Sequence, residues 1–159
     1  ISQTQKKKEP LALAPCLQSY IDRYQCLARQ HYLTLTVLPF SQNLLVFGNK
    51  ELLLQVVDNL LSNALRYARR EIILRIDLKN EDVLLQVLDD GDGISEQDLP
   101  HLFDRCYKGK GGNFGIGLTI AKTASERMQG SLTADNRPEG GAIFTLTLKQ
   151  AQCSSPQKT

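Results

Sequence analysis

The chain has 159 residues, 42% of them hydrophobic, and a formal net charge of +2. That is enough for one domain with a real core and too short for two comfortable ones; basic residues spread along the length give no case for a nucleic-acid binder. Four cysteines, Cys16, Cys26, Cys106 and Cys153, lack paired short spacing and have only two histidines beside them, which argues against a zinc site and for a reducing, cytoplasmic setting. No apolar run approaches the length of a membrane span and no signal peptide is visible, so no membrane contact is expected of this stretch. The chain starts at Ile1 without an initiator Met. We read it as a fragment of a longer protein, whose own anchoring in the cell membrane stays open.

The polar leader ISQTQKKKEP reads as a linker, with the domain placed at 10–149 and a disordered tail at 150–159. From Pro15 to about Gln30, Cys16, Leu17, Tyr20, Ile21, Tyr24 and Leu27 keep helical spacing, and Pro15 suits a first turn. LTLTVL (Leu33 to Leu38) and LLVF (Leu44 to Phe47) read as short strands. Gly48-Asn49 turns the chain, and Asn49 offers an N-cap to a helix over LLLQVVDNLLSNALRYA. In that helix Leu53, Val57, Leu60, Leu61 and Ala64 form a buried stripe, while Asn59 and Asn63 fall together on its border with Arg66 close by. Ile72 to Leu78 and Val83 to Leu88 are predicted to form a hairpin through Lys79-Asn80-Glu81-Asp82. A short helix is expected over Glu96 to Phe103 and a non-periodic, glycine- and lysine-rich segment over Asp104 to Phe114. A long helix then runs from Gly115 to about Met128, with Gly130 at its C-terminal cap. A last hairpin pairs Ser131 to Ala134 with Ala142 to Lys149, turning through NRPEGG.

Two clusters carry chemistry. Asp89-Asp90-Gly91-Asp92-Gly93 follows a strand, where a buried carboxylate can accept a hydrogen bond from an exocyclic amine and glycines let a planar ring lie on bare backbone. It is not an EF-hand, since the ligand register would begin at Leu88 and end at Leu99. Gly111-Gly112-Asn113-Phe114-Gly115-Ile116-Gly117-Leu118 precedes a helix whose free N–H groups suit a phosphate. It is neither a Walker loop nor a dinucleotide fingerprint.

In this order, Asn59 and Asn63 on a helix, Asp89-x-Gly91-x-Gly93 after a strand, Leu102-Phe103 before a basic segment, and Gly115-x-Gly117-Leu118 at a helix start, the chain resembles the catalytic ATP-binding domain of sensor histidine kinases. Those domains share a superfamily with gyrase, heat-shock chaperones of the ninety-kilodalton class and mismatch-repair ATPases. The match spans about Glu9 to Leu148. The resemblance implies an α+β fold, a two-layer α/β sandwich with a mixed five-stranded sheet covered on one face by three helices (the Bergerat-type ATP-binding fold), binding ATP and Mg²⁺. Carried over, Asn63 binds Mg²⁺ and Asn59 lines the same metal and phosphate region. Arg66 and Tyr67 reach the phosphates and the adenosine side. Asp89 reads the adenine amine, Gly91 and Gly93 admit the base, and Ile94 packs on it. Lys108 and Lys110 neutralise phosphate charge, and the backbone from Gly115 through Ile116 and Gly117 to Leu118 wraps the phosphate tail.

Gyrase-like relatives carry a Glu one helical turn before the metal-binding Asn, as general base for water. Here that residue is Asn59, which cannot take a proton at neutral pH, so phosphoryl transfer is expected over hydrolysis, with catalysis assigned to Asn59, Asn63 and Arg66. By the resemblance, the acceptor is a histidine on a separate dimerisation domain, and a response regulator follows. His31 and His101 lack the acceptor sequence of a His followed by an acidic residue and a downstream Pro. Asn113-Phe114 replaces the usual Gly-Ser/Thr, and Cys106 stands where a second aromatic is usual. A module of the same fold that senses nucleotide without transferring it is the alternative, and a gyrase-like hydrolytic clamp is a third reading that Asn59 opposes.

Overall fold

Asn49 starts the helix on which the other layers rest. Its side-chain oxygen accepts the N–H of Leu52 at 3.1 Å, satisfying a donor that the first turn leaves open, and α2 (Lys50–Tyr67) follows. The computed structural model describes residues 8–105 and 116–151. Before α2 come β1 (Glu9–Ala12), α1 (Leu13–Gln30), β2 (Thr34–Val37) and β3 (Leu45–Gly48). After it come β4 (Glu71–Lys79), β5 (Asp82–Asp89), α3 (Ile116–Arg127), β6 (Ser131–Asn136) and β7 (Ala142–Ala151).

The expected mixed sheet is formed by β2, β4, β5, β7 and β6, with β2 parallel to β4 and the remaining pairs antiparallel. Two further strands enlarge it to seven: β3 pairs with the end of β7 through Leu45–Ala151 and Val46–Gln150, and β1 pairs with β3. Sequence reading missed β1, because Glu9 and Pro10 are exposed and only Leu11 of the strand is buried. It also ended β7 too early. Gln150 and Ala151, assigned to the tail, lie in this strand.

One sheet face is apolar and buried, through Ile72, Leu74 and Ile76 on β4, Val83, Leu85 and Val87 on β5, and Phe144, Leu146 and Leu148 on β7. The opposite face is polar at its centre, where Arg75 donates to Gln86 at 2.8 Å and Gln86 to Thr145 at 3.1 Å. Against the apolar side sits α2, with Leu52, Leu53, Val56, Val57, Leu60, Leu61 and Ala64 all buried. Burying a side chain of this kind is worth roughly 1.5–3 kcal/mol, so this stripe dominates the attachment of the helical layer. Tyr24 of α1 donates its hydroxyl to Asp58 of α2 at 2.6 Å. Burial first, and that acceptor second, push the Tyr24 phenol well above its ordinary range, so it stays a donor at every physiological pH.

Two local expectations are corrected. The short helix over Glu96 to Phe103 is only a 3₁₀ turn at Leu99–His101: Pro100 has no N–H to propagate a helix, and the turn is held instead by Ser95 accepting from Asp98 and Leu99. The left-handed residue after α3 is Gln129, at φ 57°, and not Gly130. Gly130 donates to Ser125 at 2.8 Å and Gln129 to Glu126 at 2.9 Å, the two bonds of a Schellman motif. A side chain in that conformation costs more than the extra chain entropy of glycine. Gln129→Gly is therefore expected to stabilise the fold by about 0.5–1 kcal/mol in urea unfolding, while Asn49→Ala destabilises it by about 1 kcal/mol.

Candidate functional site

β5 ends on Asp89, whose side chain lies on the buried face of the sheet and is 3% exposed. One oxygen, Oδ1, accepts the N–H of Gly91 at 2.9 Å and that of Ala142 at 3.3 Å. Oδ2 bonds to no described residue. Burial raises the carboxyl above its ordinary range; the two N–H donors and the Arg137 guanidinium oppose that shift, and neighbouring Asp90 adds to it. A carboxylate in this setting is costly to ionise and has one oxygen left for a ligand.

Asn63, Tyr67, Asp89, Gly93, Ile94, Ala142 and Phe144 line one small cavity of about 20 Å³. Five of these seven were named from sequence, and Asn63 and Asp89 stand on walls contributed by different layers. The Asn63 carboxamide hydrogen-bonds to no other described residue. A volume of that size holds about one water molecule, so seating a planar base requires the walls to part. Gly93 and Ile94 belong to the loop that follows β5.

One helical turn earlier, Asn59 donates from Nδ2 to the carbonyl of Gln55 at 2.8 Å. This turns its Oδ1 toward α3, where a Cβ on Gly117 would lie 2.9 Å from it. Asn59 and the first turn of α3 are thus adjacent. Arg66 is exposed in the last turn of α2 and does not line the cavity.

Two assignments change. Gly91 is obligatory because a Cβ there would collide with the carbonyl of Tyr67, so its bare face meets α2 rather than a ligand. Leu118 is 3% exposed, inside the core, which leaves only its backbone for any contact with a phosphate. Lys108, Lys110 and Gly115 lie outside the described residues, together with Cys106, Asn113 and Phe114; of Ile116 only the backbone is described.

Sequence reading missed the residues that shape this loop. Asp90 accepts the backbone N–H groups of Arg69 at 2.8 Å, of Arg70 at 3.1 Å and of Glu71 at 3.2 Å, tying the end of α2 to the end of β5. Burial alone would raise its carboxyl, but these donors outweigh burial and lower it. Arg69 also pairs with Asp92. On the other side, Phe103 stands edge-on to Phe144 at 6.4 Å, and Lys122 lies 5.2 Å from the Phe103 ring centre while donating to Leu132. The only signal for Asp90 was its place beside Asp89; nothing in the sequence separates the two roles.

Residues 48–152 match the family model described as histidine kinase-, DNA gyrase B-, and HSP90-like ATPase. The chain is similar to the sensor histidine kinase WalK of Bacillus subtilis, 32% identical over 91% of this chain and 25% of that protein. It is also similar to the signal transduction histidine-protein kinase AfsQ2 of Streptomyces coelicolor, 38% identical over 60% of this chain and 19% of that protein. The chain thus spans a quarter or less of the length of these curated relatives. In fold it superposes on the catalytic domain of histidine kinase ThkA with a TM-score of 0.80 at 19% identity, covering 91% of this chain and 96% of that one.

The two carboxylates respond oppositely to change. Because Asp89 has a raised value, its ionisation at neutral pH costs native stability, so Asp89→Asn is expected to raise the melting temperature. The same variant should weaken binding of an adenine nucleotide by about tenfold or more, the worth of a charge-assisted hydrogen bond. Asp90 has a lowered value. Its contribution is complete above the ordinary carboxylate value of 3.8 and is lost as pH falls through the lowered one. Asp90→Ala should therefore cost about 1–2 kcal/mol at pH 7 and flatten the acid limb of a stability profile measured by circular dichroism.

Proposed function

The chain belongs to the family of histidine kinase-, DNA gyrase B- and HSP90-like ATPases, and from that premise we propose that it is the catalytic domain of a two-component sensor kinase. It passes the γ-phosphoryl of ATP to a histidine on a dimerisation domain outside these 159 residues, from which a response regulator is served. ATP binding comes with the family; the magnesium ion, the acceptor domain and the regulator are part of the proposal. Among the described residues no helix is long and apolar enough to cross a membrane, and a cytoplasmic setting for this domain goes with the reading.

The observation that carries it is the pairing of Asp89 with Asn63 across one cavity. The free carboxylate oxygen accepts from an exocyclic amine, which adenine has and guanine lacks at the matching position. Ile94 and Phe144 give the base apolar walls. Asn59 and Asn63 supply neutral oxygen donors, and among the described residues no cluster of His, Cys, Asp or Glu could hold a metal by itself. Magnesium fits such a set, since it binds few protein oxygens and completes its shell with phosphate and water; when bound it neutralises and orients the phosphates. Arg66, exposed on the last turn of α2, is a cation for the same phosphates. Asn59 cannot accept a proton at neutral pH, so it leaves water unactivated, and the nucleophile has to come with its own base. Catalysis by this domain is then positioning and charge stabilisation.

The test is calorimetry of the chain with a non-hydrolysable ATP analogue, followed by transfer to a separately supplied acceptor hairpin. Affinity is expected to fall at least about tenfold when magnesium is removed, with Asn63→Ala abolishing that dependence, and label from ATP should appear on the hairpin histidine. Absence of any affinity for the analogue overturns the reading. Binding without transfer favours the nucleotide-sensing alternative, and steady phosphate release by the chain alone favours a hydrolytic clamp.

A further inference from the structure

The turn between β6 and β7, NRPEGG, makes bonds that a simple hairpin connection does not need. Asn136, the last residue of β6, accepts the N–H of Ile94 through Oδ1 at 2.7 Å and donates through Nδ2 to the carbonyl of the same residue at 2.8 Å. A side-chain amide here takes the place of a neighbouring strand. Arg137 reaches the other end of the same loop, donating from Nη1 to the carbonyl of Asp89 at 2.6 Å. Ala142, opposite Asn136 in the β6–β7 register, donates to the Asp89 carboxylate. The loop from Asp89 to Ile94 is therefore gripped at both ends by one hairpin. Gly93, at φ 82°, fits because a Cβ there would lie 2.7 Å from Asn136 Oδ1.

We propose that Asn136 is a positioning and specificity-determining residue for the purine: by holding both backbone groups of Ile94 it sets the Gly93–Ile94 wall of the cavity at a fixed distance from the Asp89 carboxylate. This rests on the assignment of that cavity to adenine. The wall governs where the base lies sideways, and so whether its amine meets Asp89. Guanine puts a carbonyl oxygen at that point, which a carboxylate repels. With the wall held, the mismatch cannot be relieved by sliding; with the wall loose, it can. Asn136 touches no ligand in this scheme and acts only through the loop. Arg137 and Ala142 keep Asp89 in place whether or not Asn136 is present, so loss of Asn136 moves the wall and spares the carboxylate.

The experiment compares wild type, Asn136→Ala and Asn136→Asp, the last keeping the acceptor for Ile94 N–H but losing the donor to its carbonyl. Binding of non-hydrolysable ATP and GTP analogues is measured by calorimetry, and exchange of backbone amides is followed in the same samples. In Asn136→Ala the Ile94 amide should lose protection while those of Leu85 and Val87 in β5 keep theirs, which shows the fold intact. ATP-analogue affinity is expected to drop about tenfold and the preference for ATP over GTP to shrink by a similar factor, with Asn136→Asp intermediate. A purely structural role would weaken both nucleotides equally. Equal weakening, or an unchanged preference with the Ile94 amide exposed, overturns the proposal alone. A wild-type chain that binds neither analogue overturns the adenine assignment and this inference with it.

Discussion

A carboxylate that is 3% exposed at the end of β5 is the constraint around which this domain is arranged. Asp89 meets it by dividing its two oxygens. One is committed to backbone N–H groups from two different segments, which offsets part of the desolvation and fixes the side chain. The other bonds to no described residue and stands at the wall of a cavity. Within the proposed function, an amine of the bound base donates to that oxygen.

The two aspartates that follow Asp89 have separate duties. Asp90 faces the end of α2 and gathers three consecutive N–H groups, those of Arg69, Arg70 and Glu71, the first residue of β4. It joins α2 to β5 at the place where the cavity needs them both. Asp92 pairs with Arg69 at the surface, a contact between exposed groups and worth little. Within the proposed function, three carboxylates in four residues include one that serves the ligand, one that serves the fold and one that does neither to any large extent. The burial and partners of each decide which.

Within the proposed function, the exchange of a carboxylate for an amide at Asn59 carries the chemistry. An amide oxygen supports a cation as a carboxylate does but holds no proton at neutral pH. Its Nδ2 is occupied by Gln55, so the orientation that presents oxygen toward α3 is the one its own helix favours. A domain built this way holds a nucleotide ready without spending it on water, and the incoming group has to bring its own activation. That division of labour suits a domain found as a minor part of much longer relatives.

The sequence by itself determined what depends on local spacing. The apolar stripe of α2, the Asn49 cap and the alternation in β4 and β5 follow from near-neighbour spacing, which acts whatever the rest of the chain does, and the order of Asn59, Asn63, Asp89, Gly93 and Gly117 carries the family resemblance. Tertiary structure decided what depends on partners far apart in the chain. Glu9 and Pro10 become strand only because β3 is there to pair with, and Gln150 and Ala151 only because the same strand extends past β5. Gly91 owes its identity to the carbonyl of Tyr67, more than twenty positions away. Asp89 and Asp90 are alike as letters and differ because one side chain points into the layer of helices and the other toward the end of α2. Asn136 read as part of a turn because its two bonds to Ile94 lie across 42 positions of chain. Hydrogen bonds of that reach leave no period in a sequence; they exist only once the layers have packed and brought donor and acceptor within 3 Å.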